Sequence, residues 1–205
     1  LKKPFAETFR PENLDDFIGQ KHLVGENAPI RKFLEKKHIQ SMIFWGPPGT
    51  GKTTLARIIS KEMNMLFTEI SATNSGAKEL KELVKKACLS KNLLLFIDEV
   101  HRFNKLQQDI LLPSIEKGEM VIIGATTENP AFSVNKAILS RCLVFQFKPL
   151  SAEDIFNALK RIKQKANLKT EEKTLKKLSF FCAGDMRRAL NYLEAMEIAG
   201  EEAFE

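Results

Sequence analysis

The chain has 205 residues, with 32 Lys plus Arg against 26 Asp plus Glu and a formal net charge of +6 at pH 7. Hydrophobic residues make up 43% and charged residues 28%, an ordinary globular composition that excludes disordered, collagen-like and disulfide-stapled classes. That length accommodates one large domain or a medium one with a small companion, and it buries a core without cross-links.

No apolar run approaches the roughly 18 to 20 residues of a membrane helix; the longest, Leu93 to Ile97, reads as a single buried strand. The start, Leu1-Lys2-Lys3-Pro4, has no apolar stretch behind it and is no signal peptide, and the missing initiator Met suggests a fragment of a longer protein. Cys88, Cys142 and Cys182 lie far apart without a C-x-x-C pair. Neither a disulfide framework nor a zinc site is encoded, so a reducing, cytoplasmic compartment is expected. Lys36-Lys37, Lys85-Lys86, Lys176-Lys177 and the group Lys160, Arg161, Lys163, Lys165 read either as a phosphate-attracting surface or, by preference, as the solvated faces of helices.

Short apolar runs predict strands at Met42 to Trp45, Leu66 to Ile70, Leu93 to Ile97, Val121 to Gly124 and Leu143 to Phe147. Between them, apolar residues near 3.6 spacing predict helices over Thr53 to Met63, Glu79 to Leu89 and Leu106 to Glu116. Strands alternating with helices imply a mainly parallel α/β sheet covered on both faces. After Pro149 the apolar positions are helical throughout (Ile155, Leu159, Ile162; Leu175, Leu178, Phe181; Met186, Leu190, Leu193). Ser151 with Asp154 is a capping signature, and Thr170 and Asp185 stand where N-caps belong. The expected organisation is an α/β nucleotide-binding domain over 1–150 followed by a small α-helical lid over 151–205.

The chemistry sits at the strand ends. Gly46-Pro47-Pro48-Gly49-Thr50-Gly51-Lys52-Thr53 fits G-x-x-x-x-G-K-[ST] between a strand and a helix, with Thr54 next in the helix. In such a loop, glycines bring backbone N–H groups onto phosphate oxygens, Lys52 meets the β and γ phosphates, and the Thr53 hydroxyl binds Mg²⁺. Asp98-Glu99 ends an apolar run. A buried parallel strand ends at the sheet edge that carries the phosphate loop, so Asp98 is a candidate Mg²⁺ ligand and Glu99 a candidate base for water. A bare charged strand terminus is the alternative. Asn104-Lys105-Leu106-Gln107 and Asn135-Lys136-Ala137-Ile138 both lack the Asp of N-K-x-D, which favours ATP over GTP. The polar turn Thr73 to Lys78 is either a contact for DNA or a partner, or an ordinary strand-to-helix connection. His101 has no second ligand at metal spacing and reads as positioning a loop, while Trp45 reads as core.

These residues resemble the AAA+ ATPases over nearly the whole chain. Arg10-Pro11 with Phe17-Ile18-Gly19-Gln20 is similar to the family's N-terminal adenine-pocket segment, which places Ile18 and Gly19 against adenine. Asp98-Glu99 resembles the Walker B pair, and Val121 to Thr127 the sensor 1 strand, with Thr127 at the polar position. Leu139-Ser140-Arg141-Cys142 resembles the S-R-C element of clamp loaders, whose arginine acts on a neighbouring subunit's nucleotide; Gly184-Asp185-Met186-Arg187-Arg188 resembles the lid element that carries the sensor 2 arginine, here Arg187. Within AAA+, Asp98 to Asp109 and Ile123 to Pro130 resemble most the family of replication-associated recombination protein A, bacterial relatives of the Werner-helicase-interacting protein. The Holliday-junction branch-migration motor shares D-E-x-H-R and G-A-T-T but not the continuation R-F-N-K-x-Q-Q-D.

That resemblance implies a DNA-dependent ATPase of replication-fork maintenance, recombination and repair. It implies ATP and Mg²⁺ as cofactors, single-stranded, gapped or forked DNA and single-strand-binding protein as partners, a homotetramer, no membrane, and a cytoplasmic location at the nucleoid if bacterial. Glu99, Lys52, Thr127, Arg141 and Arg187 are then the catalytic set. The chain stops at Glu205, and the family's C-terminal helical assembly region is expected beyond it, so slow turnover by this piece alone is expected. The alternatives are a nucleotide-gated scaffold subunit of a clamp-loader-like complex or a branch-migration motor.

Overall fold

The structure is a computed structural model that describes residues 3–90 and 92–204, apart from the side chains of Cys88 and Ala203. The expectations for Leu1, Lys2, the Cys88 thiol and Glu205 therefore lie outside the described residues. In chain order, the elements begin α1 (Phe5–Thr8), α2 (Lys21–Val24), α3 (Pro29–Glu35), β1 (Met42–Trp45), α4 (Lys52–Glu62), β2 (Leu66–Ser71), α5 (Ala77–Ser90) and β3 (Leu93–Asp98). A 3-10 turn (Val100–Arg102) leads to α6 (Lys105–Glu116), β4 (Val121–Thr126), α7 (Pro130–Ser133), α8 (Lys136–Leu139) and β5 (Leu143–Gln146). The last stretch is helical, α9 (Ala152–Ala166), α10 (Glu172–Phe181) and α11 (Met186–Ala199), closed by a 3-10 turn (Glu201–Phe204). Among the described residues no helix is long and apolar enough to cross a membrane.

The contacts form two compact units. One consists of Lys21–Gly46 and Lys52–Phe147 and holds the sheet, in the order β2-β3-β4-β1-β5 with every pair parallel. The central strands read as unbroken apolar runs because helices cover both faces. Phe44, Phe96, Ile43, Leu94 and Leu95 are fully buried, each contributing about 1.5–3 kcal/mol of burial. Ile70, Leu80, Ile97, Val100, Leu111 and Ile122 belong to the core beside them. The edge strands β2 and β5 keep exposed positions in their patterns.

The other unit contains the segment up to Gln20, the turn Pro47–Gly51 and everything from Lys148 on. Its core is built from α9, α10 and α11 through Ile155, Leu159, Leu175, Leu178, Leu190 and Leu193, and Phe5, Phe9 and Ile18 pack against it. The N–H of Phe5 donates to the Glu194 carboxylate at 3.0 Å. Helix α9 starts on a full capping box, Ser151 with Asp154, worth about 0.5–2 kcal/mol. Thr170 differs from its expected role. The N-cap of α10 is Glu171, with no side-chain cap bond, whereas the Thr170 hydroxyl and N–H both donate to Glu197 of α11. A tertiary acceptor outcompetes the local one.

The basic clusters lie at the surface. Lys36, Lys37, Lys85, Lys86, Lys176 and Lys177 are exposed, with Lys85 and Lys86 on α5 and Lys176 and Lys177 on α10. Lys160 pairs with Glu172 at 3.0 Å, and Lys163 donates to the Thr170 carbonyl.

Candidate nucleotide-binding site

Parallel pairing brings four strand ends to one edge. Trp45 is in register with Thr126, Ile97 with Gly124 and Ser71 with Asp98. Thr126 therefore ends the strand that lies between the one leading into Gly46 and the one ending in Asp98.

Gly46 has φ +145°, and its N–H donates to the Thr126 carbonyl at 3.1 Å. A Cβ there would stand 2.2 Å from the Phe147 carbonyl oxygen, so only glycine fits. The Lys52 ammonium, at the start of α4, donates to the Gly46 carbonyl at 2.7 Å. Thr53 and Thr54 follow in the first turn, where backbone N–H groups lack intrahelical acceptors and the helix dipole favours anions.

Pro47 to Gly51 form the rest of the loop. The Thr50 hydroxyl donates to the Pro47 carbonyl at 2.8 Å, closing the turn under Pro48. Gly49 and Gly51 adopt φ +67° and +102°. A Cβ on Gly51 would meet the Phe17 ring at 2.7 Å. Among the described residues no carbonyl accepts the N–H of Gly49, Thr50 or Gly51. Such a row of unclaimed donors in a glycine turn is an anion-binding nest, and it fits nucleotide phosphates.

The lid side of this loop is tightly made. The Met186 N–H, at the start of α11, donates to the Gly49 carbonyl at 3.0 Å. Asp185 caps that helix by accepting the Arg188 N–H at 3.0 Å. Arg188 is occupied over the Phe181 ring, 4.6 Å from its centroid. Arg187, one residue from Met186, is exposed and has no bonded partner among the described residues. Gln20 accounts for another contact that no local pattern announces: its amide donates to the Lys148 carbonyl at 2.7 Å, and its oxygen accepts the Lys148 N–H at 3.0 Å. The same amide reaches the Thr50 carbonyl at 3.4 Å. Ile18 packs on the lid core, and Gly19, with φ +67°, leaves its Cβ direction to Leu150 at 2.5 Å.

At the acidic end, Asp98 closes β3 and accepts the Glu99 N–H at 3.1 Å. Glu99 is left-handed, φ 55° and ψ 43°, a conformation that costs a side-chain-bearing residue about 1–3 kcal/mol and gathers at functional sites. Its carboxylate oxygen stands 3.3 Å from Nε2 of His101, whose Nδ1 lies 2.8 Å from the Thr126 hydroxyl. Thr127 is exposed, just past β4, whereas Thr126 is buried. Thr53 and Asp98 each carry an oxygen donor of the hard kind that Mg²⁺ takes.

Arg141 does not gather with these groups. It pairs with Glu116 at 2.6 Å and donates to the Ala137 carbonyl at 2.8 Å. Spacing could not have found the pairs His101–Thr126, Gln20–Lys148 or Arg141–Glu116, since each is made across separate segments of chain.

Comparison with known proteins places the chain in a family. Residues 42–150 match the model of the ATPase family associated with various cellular activities (AAA), and residues 157–198 that of the RCF1/5-like AAA+ ATPase lid domain. The chain is 47% identical to replication-associated recombination protein A of Haemophilus influenzae and 45% identical to that of Escherichia coli K12, over 97% and 95% of its length. It is 42% identical to ATPase WRNIP1 of Dictyostelium discoideum over 97% of its length, which is 24% of that protein. The chain spans about half the length of the bacterial relatives, 47% and 46%. The RuvB Holliday junction branch migration motor of Thermotoga maritima superposes with a TM-score of 0.79 at 24% identity, covering 91% of this chain and 64% of that one, a likeness of fold. The chain thus belongs to the AAA family of ATPases, carries an RCF1/5-like lid and is similar, within that family, to replication-associated recombination protein A.

Proposed function

We propose that this chain is the ATP-hydrolysing core of a protein that acts on DNA during replication and recombination. The observation that carries the reading is the phosphate nest: three glycines at positive φ, with N–H groups of Gly49, Thr50 and Gly51 unclaimed by any carbonyl among the described residues. The next residues in the chain, Lys52 and Thr53, begin a helix.

In this reading the loop N–H groups and Lys52 hold the phosphates, and Thr53 and Asp98 hold Mg²⁺. Held there, Mg²⁺ would supply positive charge that neutralises what develops on the phosphates. Glu99 takes the proton of the attacking water, Thr127 orients that water, and Arg187 faces the γ phosphate. Thr54, Ile18 and Gly19 complete the nucleotide contacts. Arg141 acts on a neighbouring subunit's nucleotide after leaving Glu116, which would make hydrolysis an interface reaction in a homo-oligomer. DNA as the activator, a tetramer and single-strand-binding protein as partner follow from the resemblance and from the relatives' names, not from the site.

The test is ATPase activity of the intact protein with single-stranded, gapped, forked and duplex DNA, beside Glu99→Gln. Stimulation by one DNA class and loss of turnover with retained ATP binding in Glu99→Gln are expected. Equal single-turnover rates for the two proteins would overturn the reading in favour of a nucleotide-gated scaffold.

A further inference from the structure

We propose that His101 is a positioning residue that fixes the Glu99 carboxylate and couples it to the end of β4 through the Thr126 hydroxyl. The proposal rests on the reading of Glu99 as the base.

A single run of close polar contacts joins the groups. The Glu128 N–H donates to Thr126 Oγ1 at 3.0 Å, Thr126 Oγ1 stands 2.8 Å from His101 Nδ1, and His101 Nε2 stands 3.3 Å from Glu99 Oε2. The hydroxyl has one proton to give. The other acceptor within reach, the Glu128 carbonyl, is at 3.5 Å, so the shorter approach to Nδ1 takes it. Nδ1 then accepts, which leaves a ring hydrogen on Nε2, the nitrogen on the Glu99 side; this assignment follows from the network. The Glu128 carboxylate flanks the same nitrogen at 3.6 Å.

The surroundings explain why such a tether is required. The His101 side chain is 5% exposed whereas that of Glu99 is 33% exposed. An open carboxylate sweeps through several rotamers unless something rigid holds one of them, and displacement of a reacting group by about 1 Å costs on the order of 100-fold in rate. His101 is rigid because it is buried and bonded at Nδ1, and Val100 beside it is anchored in the sheet core. Thr126 directly precedes Thr127, so a shift of the β4 end reaches Glu99 through the Thr126–His101 hydrogen bond and the 3.3 Å contact between His101 and Glu99. The arrangement gives the base an orientation that depends on the state of the neighbouring strand.

The experiment compares His101→Ala, Thr126→Val, Thr126→Ser and Glu99→Gln in the intact protein, reading kcat, KM and the affinity for a fluorescent ATP analogue. His101→Ala and Thr126→Val are expected to lower kcat about 10- to 100-fold with analogue affinity within about twofold of wild type, Thr126→Ser to recover the rate that Thr126→Val loses, and His101→Ala to add no further loss in the Glu99→Gln background. If Glu99→Gln turns over like wild type, the base assignment itself falls. If Glu99→Gln is inactive while His101→Ala and Thr126→Val stay within twofold of wild type, the positioning role alone is overturned. Parallel loss of analogue binding in both variants would overturn it too, by showing a purely structural part.

Discussion

Gly49 of the phosphate loop lies so close to Asp185 of the lid that a Cβ on it would stand 1.7 Å from the Asp185 Oδ1 oxygen. The two residues meet where the Met186 N–H reaches the Gly49 carbonyl, so the turn that would carry the phosphates is packed on the start of α11. Gly49→Ala is expected to displace this contact and to weaken ATP binding more than tenfold, with a lower melting temperature. Gly118→Ala is the control, because that glycine has φ +64° but open space around it; its cost is the left-handed conformation alone, about 1 kcal/mol. Equal effects in calorimetry and nucleotide titration would refute the packing argument.

Asp185 also caps α11. Asp185→Ala should destabilise the chain by about 0.5–2 kcal/mol in urea unfolding, and Asp185→Asn, which keeps the accepting oxygen, by much less. An Asn variant as unstable as Ala would mean that the charge, not the cap, matters.

Glu197 supplies a pH dependence. Its partial burial acts to raise the carboxyl, but the hydroxyl and N–H of Thr170 and the N–H of Lys169 outweigh it, and the group is held below the ordinary 4.5. A carboxyl lowered on folding stabilises above its unfolded value and loses that contribution as pH falls through the folded value. The stability difference between wild type and Glu197→Gln should therefore be constant near neutrality and shrink below pH 4.5. Denaturant titrations at several pH values check this; a difference that grows on acidification would contradict it.

Burial raises the Cys142 thiol to about 11. At pH 8 its thiolate fraction falls on the order of 100-fold below that of a free cysteine. Alkylation followed by peptide mass spectrometry should find Cys142 slow in the native chain and fast in urea.

Arg141 is bound to Glu116 on its own chain. If it serves a neighbour's nucleotide, a monomeric preparation of this chain, verified by light scattering, should bind ATP yet hydrolyse it 10³-fold or more slowly than the assembled intact protein, the range a trans arginine contributes being roughly 10³ to 10⁵. Comparable rates would remove Arg141 from the mechanism.

Features written within a few residues were legible directly. The glycine loop, the Asp98-Glu99 pair, the Ser151 box and the Asp185 cap depend on neighbours along the chain, and each strand start was marked by a hydrophobic run. Strand ends were less so. β3 and β4 run on to Asp98 and Thr126, because ladder pairing continues where the apolar pattern stops. Thr170 shows the same limit, its hydroxyl having left a local cap for Glu197.

What the amino-acid order determined by itself was therefore the parallel α/β class, the helical lid, the glycine turn and the acidic end of β3, since periodicity and short-range chemistry specify these. The tertiary structure alone decided that Phe5, Phe9 and Ile18 belong to the lid core, that Gln20 grips Lys148, that Glu116 holds Arg141 and that His101 joins Glu99 to Thr126. Apart from Glu99 and His101, which are neighbours on one turn, these pairs have no sequence spacing to announce them: they exist only after sheet order and helix packing have brought distant backbone segments together.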